Sequence, residues 1–239
     1  MPERSITLRI WRTASARRAK AGFDTFTVGC DPARDTVLDL VERAWARVDR
    51  SLVFRHACHH ASCGTCTMRV DGRERLPCIT RVDDVWNGRE PLTIEPLRNV
   101  PIVADLAIDP EAHAARMAAV GLPYVRTVEA EVRGSAGRPD ADVGSAERFE
   151  DCLECLACVS ACPVASGDPR YLGPAVLAAA DRLMEEPRGA DPATILALVD
   201  TDHGVWQCRA VWACSAVCPS DVGPAVRIMD LRRRALVAS

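Results

Sequence analysis

The chain has 239 residues, of which 48% are hydrophobic, and its formal net charge is -3. This length is enough for the buried core of one large domain or two ordinary ones, and the slightly acidic balance gives no reason to expect a nucleic-acid partner, whose phosphates attract basic surfaces. The amino terminus has no apolar core of signal-peptide length, and no apolar stretch is long enough to cross a bilayer. We read the short basic runs at 12–20 and 232–234 as solvated surface.

The first hundred residues predict an α+β unit, with strands packed on one helix. Apolar and polar residues alternate along 6–10, and a second apolar run at 26–28 predicts the partner strand of a hairpin. Between 37 and 48 the apolar residues recur at helical spacing behind Thr36, a suitable cap residue, with Asp39 three positions later. Further strands are predicted at 67–76, with a turn at Asp71 and Gly72, and at 91–97.

The rest of the chain is predicted to be mostly helical. Proline or glycine-proline pairs stand at the start of several apolar stretches, as is typical of a first helical turn. A stretch rich in Gly, Ser, Pro and Asp at 132–147 is predicted to be a loop. We therefore expect two domains, 1–102 and 103–239. The helices are predicted at 109–120, 167–186, 191–199 and 223–237.

The 12 cysteines fall into three groups. Five lie between positions 30 and 78, four between 152 and 162, and three between 208 and 218. In a chain that reads as cytosolic, thiols are held reduced, and clustered cysteines more often bind metal than form disulfides.

The first group has the spacing of a plant-type 2Fe-2S site. Cys58, Cys63 and Cys66 form a C-x4-C-x2-C loop, and Cys78 returns after a strand and a turn. Gly64 would let backbone amides approach the cluster. A four-cysteine structural zinc site is the alternative. His59 and His60 are expected to be loop-surface residues, because a Rieske centre has only two cysteines. Cys30 has no spacing partner and is read as a semi-buried thiol.

The second and third groups form an internal repeat. Cys152, Cys155, Cys158 and Cys162 match the bacterial ferredoxin run C-x2-C-x2-C-x3-C-P, in which the fourth cysteine reaches a second cluster. The later group keeps this frame, but Val211 stands at the second cysteine position. Cross-ligation then predicts a 4Fe-4S cluster and a 3Fe-4S cluster, since valine cannot hold the fourth iron of the latter. A 4Fe-4S cluster with one open iron is the alternative. The predicted ligands are Cys152, Cys155, Cys158 and Cys218 for the 4Fe-4S cluster, and Cys162, Cys208 and Cys214 for the 3Fe-4S cluster.

This set of cysteines, the 11-residue gap between Cys66 and Cys78, the stretches at 102–117 and 167–177, and the C-x5-C-x3-C-P ending resemble the iron-sulfur subunit of succinate dehydrogenase and fumarate reductase. The resemblance implies an α+β fold, with an N-terminal β-grasp 2Fe-2S ferredoxin-like domain followed by an α-helical ferredoxin domain.

The same resemblance implies a relay that carries electrons between a FAD-containing flavoprotein subunit and a quinone through the 2Fe-2S, 4Fe-4S and 3Fe-4S clusters. Dicarboxylate chemistry would belong to the flavoprotein, and membrane-anchor subunits would hold the chain on the cytoplasmic side of a prokaryotic inner membrane. Trp206, Arg209 and Trp212 are candidates for the quinone vicinity.

Two other functions remain open from the residues alone. The chain departs from familiar quinone-reducing members in the residues that follow Cys162 and Cys208, which suggests a relay for a divergent flavoprotein oxidoreductase with a non-quinone or differently anchored acceptor. A non-catalytic zinc-binding interaction module belongs to a different class, and the colour and iron content of the purified protein would separate it from an iron-sulfur protein.

Overall fold

The computed structural model describes residues 4–16, 18–121, 152–185 and 191–238, so the loop predicted at 132–147 lies outside the described residues. The chain divides into two compact units. The first comprises the residues up to Asp109 together with Leu153–Ala161, and the second comprises Pro110–Cys152 and Cys162–Ser239.

A mixed sheet forms the centre of the first unit. Strands β1 (Arg4–Arg12) and β2 (Gly22–Cys30) pair antiparallel, which confirms the predicted hairpin. Strand β5 (Leu92–Glu95) lies parallel to β1. Strands β3 (Met68–Val70) and β4 (Arg73–Arg75) complete the order β2-β1-β5-β3-β4 within the described residues. Asp71 and Gly72 both adopt positive φ, as a tight hairpin turn between β3 and β4 requires.

One amphipathic helix covers this sheet. Helix α1 (Val37–Arg47) begins with a capping box, in which Thr36 and Asp39 satisfy each other's backbone amides. Its apolar face is buried with the inner face of the sheet in one core, so the predicted helix and its cap are confirmed. Cys30 is only 1% exposed, so this thiol belongs to the core rather than to the semi-buried layer that the sequence suggested. A short helix α2 (Val82–Val85) follows β4.

The short strands β6 (Ile102–Ala104) and β7 (Ala107–Ile108) also belong to the first unit. The turn between them holds Asp105, whose carboxylate lies 3.1 Å from Arg12 Nε and accepts hydrogen bonds from the backbone amides of Thr13 and Val53. The reading of the basic run at 12–20 as solvated surface is therefore wrong for Arg12, which is buried because it pairs with this carboxylate.

The segment with the second cysteine group also packs on the first unit. Helix α4 (Ala157–Ala161) carries Ser160, which is fully buried. Its hydroxyl donates to Glu74 Oε1 at 2.7 Å and accepts from the backbone amide of Arg98 at 2.9 Å. Helix α4 is thus attached to strand β4, although the two elements are far apart in sequence.

The second unit is helical, as predicted. Helices α5 (Pro174–Glu185) and α8 (Pro224–Ala238) both begin with the sequence Pro-Ala-Val, and the glycines directly before them, Gly173 and Gly223, have positive φ. Proline at a first-turn position suits a helix start because its missing amide would have no partner there. None of the described helices is long and apolar enough to cross a bilayer. Among the described residues outside the first unit, the helices are α3 (Glu111–Ala119), α5 (Pro174–Glu185), α6 (Pro192–Val199), α7 (Ala213–Ala216) and α8 (Pro224–Ala238), with a 3-10 turn at Val205–Gln207.

A buried ion pair joins α5 to α8. Asp181 Oδ2 lies 3.4 Å from Arg227 Nη1, and the two side chains are 2% and 4% exposed. Burial raises the pKa of Asp181 to about 6, the nearby Glu185 adds to the effect, and Arg227 opposes it. The ionised carboxylate is thus costly to bury even beside its partner.

This raised pKa predicts a pH-dependent stability. Because the pKa of Asp181 is higher in the folded than in the unfolded chain, its protonated form stabilises the fold at low pH, and this contribution is lost as pH rises through about 6. Relative to Asp181→Asn, the wild type should lose about 1 kcal/mol of unfolding free energy between about pH 5 and about pH 7. Urea unfolding of both proteins measures this difference, and a pH-independent difference would contradict it.

Candidate metal centres

The loop between α1 and β3 brings Cys58, Cys63 and Cys66 to the first unit's edge, and Cys78 joins them after β4. The backbone amides of His60 and Ser62 donate to Cys58 Sγ at 3.5 and 3.3 Å. Amide donors of this kind stabilise thiolate and cluster charge. Cys66 and Cys78 are buried in a small apolar cluster with Leu38 and Leu76.

The thiols of this group influence one another in two pairs. Cys58 contributes to the pKa of Cys63, and Cys78 contributes to the pKa of Cys66. Hydrogen bonds, first from Thr65 and also involving Cys58, lower the pKa of Cys63 to about 6, whereas burial raises the pKa of Cys66 to about 12. A buried thiol of this kind gives up its proton readily only to a metal ion.

The sulfur spacing distinguishes an iron-sulfur cluster from zinc. Four thiolates on one Zn²⁺ at about 2.3 Å place neighbouring sulfurs about 3.8 Å apart. Among the described residues, which include every cysteine, no three cysteine sulfurs lie within 4.8 Å of one another. The sulfurs are therefore too widely spread for a mononuclear site, and two pairs of thiols suit a cluster with two irons. The donor set fits the 2Fe-2S group that the spacing predicted.

Gly64 sets the distance between this loop and the second cysteine group. Its φ is +63°, and a Cβ atom built on it would lie 2.6 Å from Cys155 Cβ and 2.8 Å from the carbonyl oxygen of Leu153. The loop backbone thus passes directly against Cys155, within the first unit. Only glycine combines this left-handed conformation with so close an approach.

The predicted 4Fe-4S ligands are described unit by unit. Cys155 and Cys158 belong to the first unit, whereas Cys152 and Cys218 belong to the second. Cys152 and Cys218 pack against the same apolar cluster of the second unit. The Cys218 sulfur also accepts a hydrogen bond from the backbone amide of Val222 at 3.3 Å. The structure therefore brings Cys152 and Cys218 together from positions 66 residues apart, the difference of their residue numbers.

The last three predicted ligands, Cys162, Cys208 and Cys214, line one cavity in the second unit. Burial raises the pKa of Cys214 to about 11, and the neighbouring Cys162 and Cys208 raise it further, so the three thiols are electrostatic neighbours. Val211 lies in the cavity wall between them in sequence and is 58% exposed. The cavity therefore has three sulfur donors and, at the position of the missing cysteine, a side chain without a donor atom. This donor set fits a cluster that lacks one iron.

The backbone around Val211 repeats the backbone around Cys155. Ala210 and Trp212 have φ of 52° and 64°, and the residues at the same frame positions of the earlier group, Glu154 and Leu156, have φ of 49° and 65°. Residues other than glycine rarely adopt this conformation, so the match reflects the same loop built twice. The two loops differ at the residue in the middle, which is cysteine in one and valine in the other.

Two residues near the cavity were missed by sequence reasoning. Tyr171 is 2% exposed and lies in the cavity wall with Cys208, and burial raises its pKa above the usual range. Arg232 donates to the carbonyl oxygens of Val205, at 2.8 Å, and Cys208. The run at 232–234 is therefore not all solvated surface. No sequence motif marks either residue, because each reaches the site from a distant segment.

The three residues predicted for the quinone vicinity do not lie together. Arg209 and Trp212 are in the cavity wall, and Trp212 is half exposed. Trp206 is attached elsewhere, since its Nε1 donates to Asp200 Oδ1 at 2.5 Å and the guanidinium of Arg232 lies 5.6 Å from its ring centre. His59 and His60 are exposed in the first loop, as predicted.

Comparison with known proteins agrees with these sites. A 2Fe-2S iron-sulfur cluster binding domain matches residues 7–115, and a 4Fe-4S dicluster domain matches residues 109–222. The chain is 35% identical over 193 residues to the fumarate reductase iron-sulfur subunit of Mycobacterium tuberculosis, covering 79% of this chain and 76% of that protein. This chain belongs to that family of iron-sulfur subunits.

Further similarities fit this assignment. The succinate dehydrogenase iron-sulfur subunit of Paracoccus denitrificans is 30% identical over 211 residues, covering 87% of this chain and 80% of that protein. A chain of the Mycobacterium smegmatis Sdh1 complex, solved in the apo form, has the same fold with a TM-score of 0.85 at 23% identity, covering 100% of this chain and 98% of that chain. The fold is therefore α+β, with a β-grasp 2Fe-2S domain followed by a helical ferredoxin domain.

The chain is thus an electron-transfer iron-sulfur subunit of a succinate dehydrogenase or fumarate reductase type of oxidoreductase, with 2Fe-2S and 4Fe-4S sites. The family membership does not favour a divergent relay for an unrelated flavoprotein.

Proposed function

We propose that this chain relays electrons between a flavoprotein subunit and a membrane quinone through three clusters, the third of which is a 3Fe-4S cluster. Each cluster supplies a site that accepts and releases one electron at a time. The proposed ligands are Cys58, Cys63, Cys66 and Cys78 for the 2Fe-2S cluster, Cys152, Cys155, Cys158 and Cys218 for the 4Fe-4S cluster, and Cys162, Cys208 and Cys214 for the 3Fe-4S cluster.

The 3Fe-4S assignment rests on one observation. The loop around Val211 has the same left-handed pair of residues as the loop around Cys155, but the residue between them has no donor atom. The cavity beside it holds three cysteines. An open-iron 4Fe-4S cluster would need a polar group or water at that corner, which a branched apolar side chain disfavours.

The chain's own residues control the surroundings of the third site. Tyr171 shares the cavity wall with Cys208, and a hydrogen bond from its hydroxyl to a cluster sulfur would favour added negative charge on the cluster. Arg232 holds the carbonyl oxygens of Val205 and Cys208. Cys162 and Cys208 pack against an apolar cluster and Cys214 is 8% exposed, which limits solvent access to the sulfurs.

The proposed partners are a FAD-containing flavoprotein subunit and one or more membrane-anchor subunits, because the relatives are named as subunits of succinate dehydrogenase or fumarate reductase. We place the chain as a peripheral subunit on the cytoplasmic side of a prokaryotic inner membrane. Val211 and Trp212 expose apolar surface beside the third cavity, which makes this face, with Arg209, a candidate for the quinone vicinity. We keep the functional domains as 1–102 and 103–239.

Electron paramagnetic resonance of Val211→Cys tests the cluster assignment. Because residue 211 sits in a ligand-type loop, cysteine there should supply the missing donor and convert the 3Fe-4S cluster to a 4Fe-4S cluster. The oxidised wild type, prepared anaerobically, should show a 3Fe-4S signal that is mostly lost in the variant, and dithionite should reveal added 4Fe-4S signal.

Val211→Ser is the matched control, because it replaces the apolar side chain with a hydroxyl group, which is a much weaker ligand than a thiolate. It should keep most of the 3Fe-4S signal. A wild type without any 3Fe-4S signal would contradict the proposal and would favour an open cubane.

A further inference from the structure

Outside the cysteine groups, three side chains of the first unit converge on one point. Glu42 lies on α1, and His56 and His59 lie in the segment that contains Cys58. His56 Nδ1 lies 2.9 Å from His59 Nε2 and 3.2 Å from Glu42 Oε1, and His59 Nε2 lies 3.4 Å from the same oxygen. In the described part of the chain, no other three histidine, cysteine or acidic side chains bring ligand atoms this close together.

The size of this triangle matches a small metal ion. Zinc binds imidazole nitrogen and carboxylate oxygen at about 2.0–2.2 Å, so neighbouring ligand atoms of a tetrahedral site lie about 3.3–3.5 Å apart. The three observed separations, 2.9, 3.2 and 3.4 Å, need to grow by only a few tenths of an ångström. The cysteine sulfurs, by contrast, are too far apart to bind one zinc ion together.

Hydrogen bonding alone does not account for the arrangement. Glu42 Oε1 is buried and accepts no hydrogen bond, although both imidazoles stand near it. A buried carboxylate oxygen without a donor is costly, and a cation at the centre of the triangle would satisfy it together with both ring nitrogens.

The fold already holds the three side chains in place. The ring of Phe54 stacks on His56 with centroids 5.1 Å apart and planes 21° apart. His59 has φ of 60°, a conformation that residues other than glycine rarely adopt and that is strained outside a supporting site. The capping box fixes the start of the helix that carries Glu42. Because the three side chains are already ordered, binding an ion there would cost less conformational entropy.

We propose that Glu42, His56 and His59 form a binding site for a divalent transition-metal ion, with Zn²⁺ the best match. Two imidazoles and one carboxylate are donors that suit zinc, and three protein ligands leave a fourth position open to water or another ligand. The site would stand beside Cys58 in sequence but share no ligand with the cysteine groups. This inference does not depend on the nature of the third cluster.

Zinc titration of the full chain with its clusters tests the proposal. Isothermal titration calorimetry should show one tight site in the wild type. His59→Asn and Glu42→Gln should weaken it by about tenfold or more, because each removes one ligand. Asparagine tolerates positive φ, so the first variant removes the imidazole without adding backbone strain. Glu42 lies on α1, so Glu42→Gln tests the site even if the variant in the loop alters the fold.

His60→Asn is the matched control, because the His60 ring bonds the carbonyl oxygen of Cys58 and is not one of the three converging ligands. It should bind zinc as the wild type does. Equal affinity in the wild type and in Glu42→Gln would overturn the proposal, and so would equal weakening in His60→Asn. Loss of the visible iron-sulfur absorption in step with zinc binding would also overturn it, because zinc would then have taken the cysteines.

Discussion

Replacing Gly64 with alanine is expected to prevent normal assembly of the 2Fe-2S site and to disturb the neighbouring Cys155. The new methyl group would lie 2.6 Å from Cys155 Cβ and 2.8 Å from the backbone oxygen of Leu153, distances that atoms without a bond between them do not sustain. The residue would also be forced into a left-handed conformation at φ of +63°. We expect a loss of about 2–4 kcal/mol from strain and overpacking together.

Two measurements check this prediction. The 2Fe-2S signal of the reduced protein should fall strongly per chain, and the midpoint of urea unfolding should move to lower concentration. Gly88→Ala is the matched control, because Gly88 also has positive φ, at +81°, but a Cβ atom there would meet nothing within 4 Å. Gly88→Ala should therefore lose only the stability that the positive φ costs. An equal effect of the two substitutions would mean that the close approach to Cys155 is unimportant.

Replacing Arg227 with methionine is expected to destabilise the second unit by about 3–5 kcal/mol, because Asp181 would lose its closest partner in a buried position. Since Arg227 lowers the pKa of Asp181, the carboxyl group without it must either carry an unpaired charge or take up a proton at higher pH. Arg227 Nε also donates to the carbonyl oxygen of Val222 at 3.3 Å, and the amide of Val222 donates to the Cys218 sulfur. The substitution should therefore weaken the proposed 4Fe-4S site as well as the fold. Denaturant unfolding and the reduced 4Fe-4S signal measure the two effects.

A second substitution separates charge burial from packing. Asp181→Leu combined with Arg227→Met removes both charges and should recover most of the lost stability, since well-packed apolar residues often replace a buried pair without net cost. Arg233→Met is the matched control on the same helix. Its side chain is exposed and pairs with Asp230 at the surface, so little change is expected. A double variant as unstable as Arg227→Met would refute the charge-burial explanation.

Local patterns in the sequence predicted the main strands and helices, although the helix predicted at 167–186 begins only at Pro174. Apolar alternation predicted the β1–β2 hairpin, and helical spacing behind Thr36 predicted α1 with its capping box. These features depend on residues a few positions apart, where backbone geometry leaves few choices. The cysteine spacing likewise predicted the cluster types, because thiolates that share a loop must fit the size of one cluster.

The sequence was misleading where a side chain pairs with a distant segment. The basic runs were read as solvated surface, but Arg12 is buried against Asp105, and Arg232 holds the carbonyl oxygens near Cys208. The partner of each arginine lies more than twenty residues away. Charge content indicates that such side chains prefer water, but it does not reveal a partner that removes the cost of burial.

The sequence by itself determined the main strands and helices, the three cysteine groups and the valine that stands at one cysteine position of the repeat. Only the tertiary structure decided that Gly64 passes against Cys155, that Tyr171 lines the cavity with Cys208, and that Glu42 meets His56 and His59. The reason is physical. Spacing along the chain limits what neighbouring residues can do, whereas contacts between remote segments follow from how the apolar faces of helices and sheet pack, and that packing is a property of the whole fold.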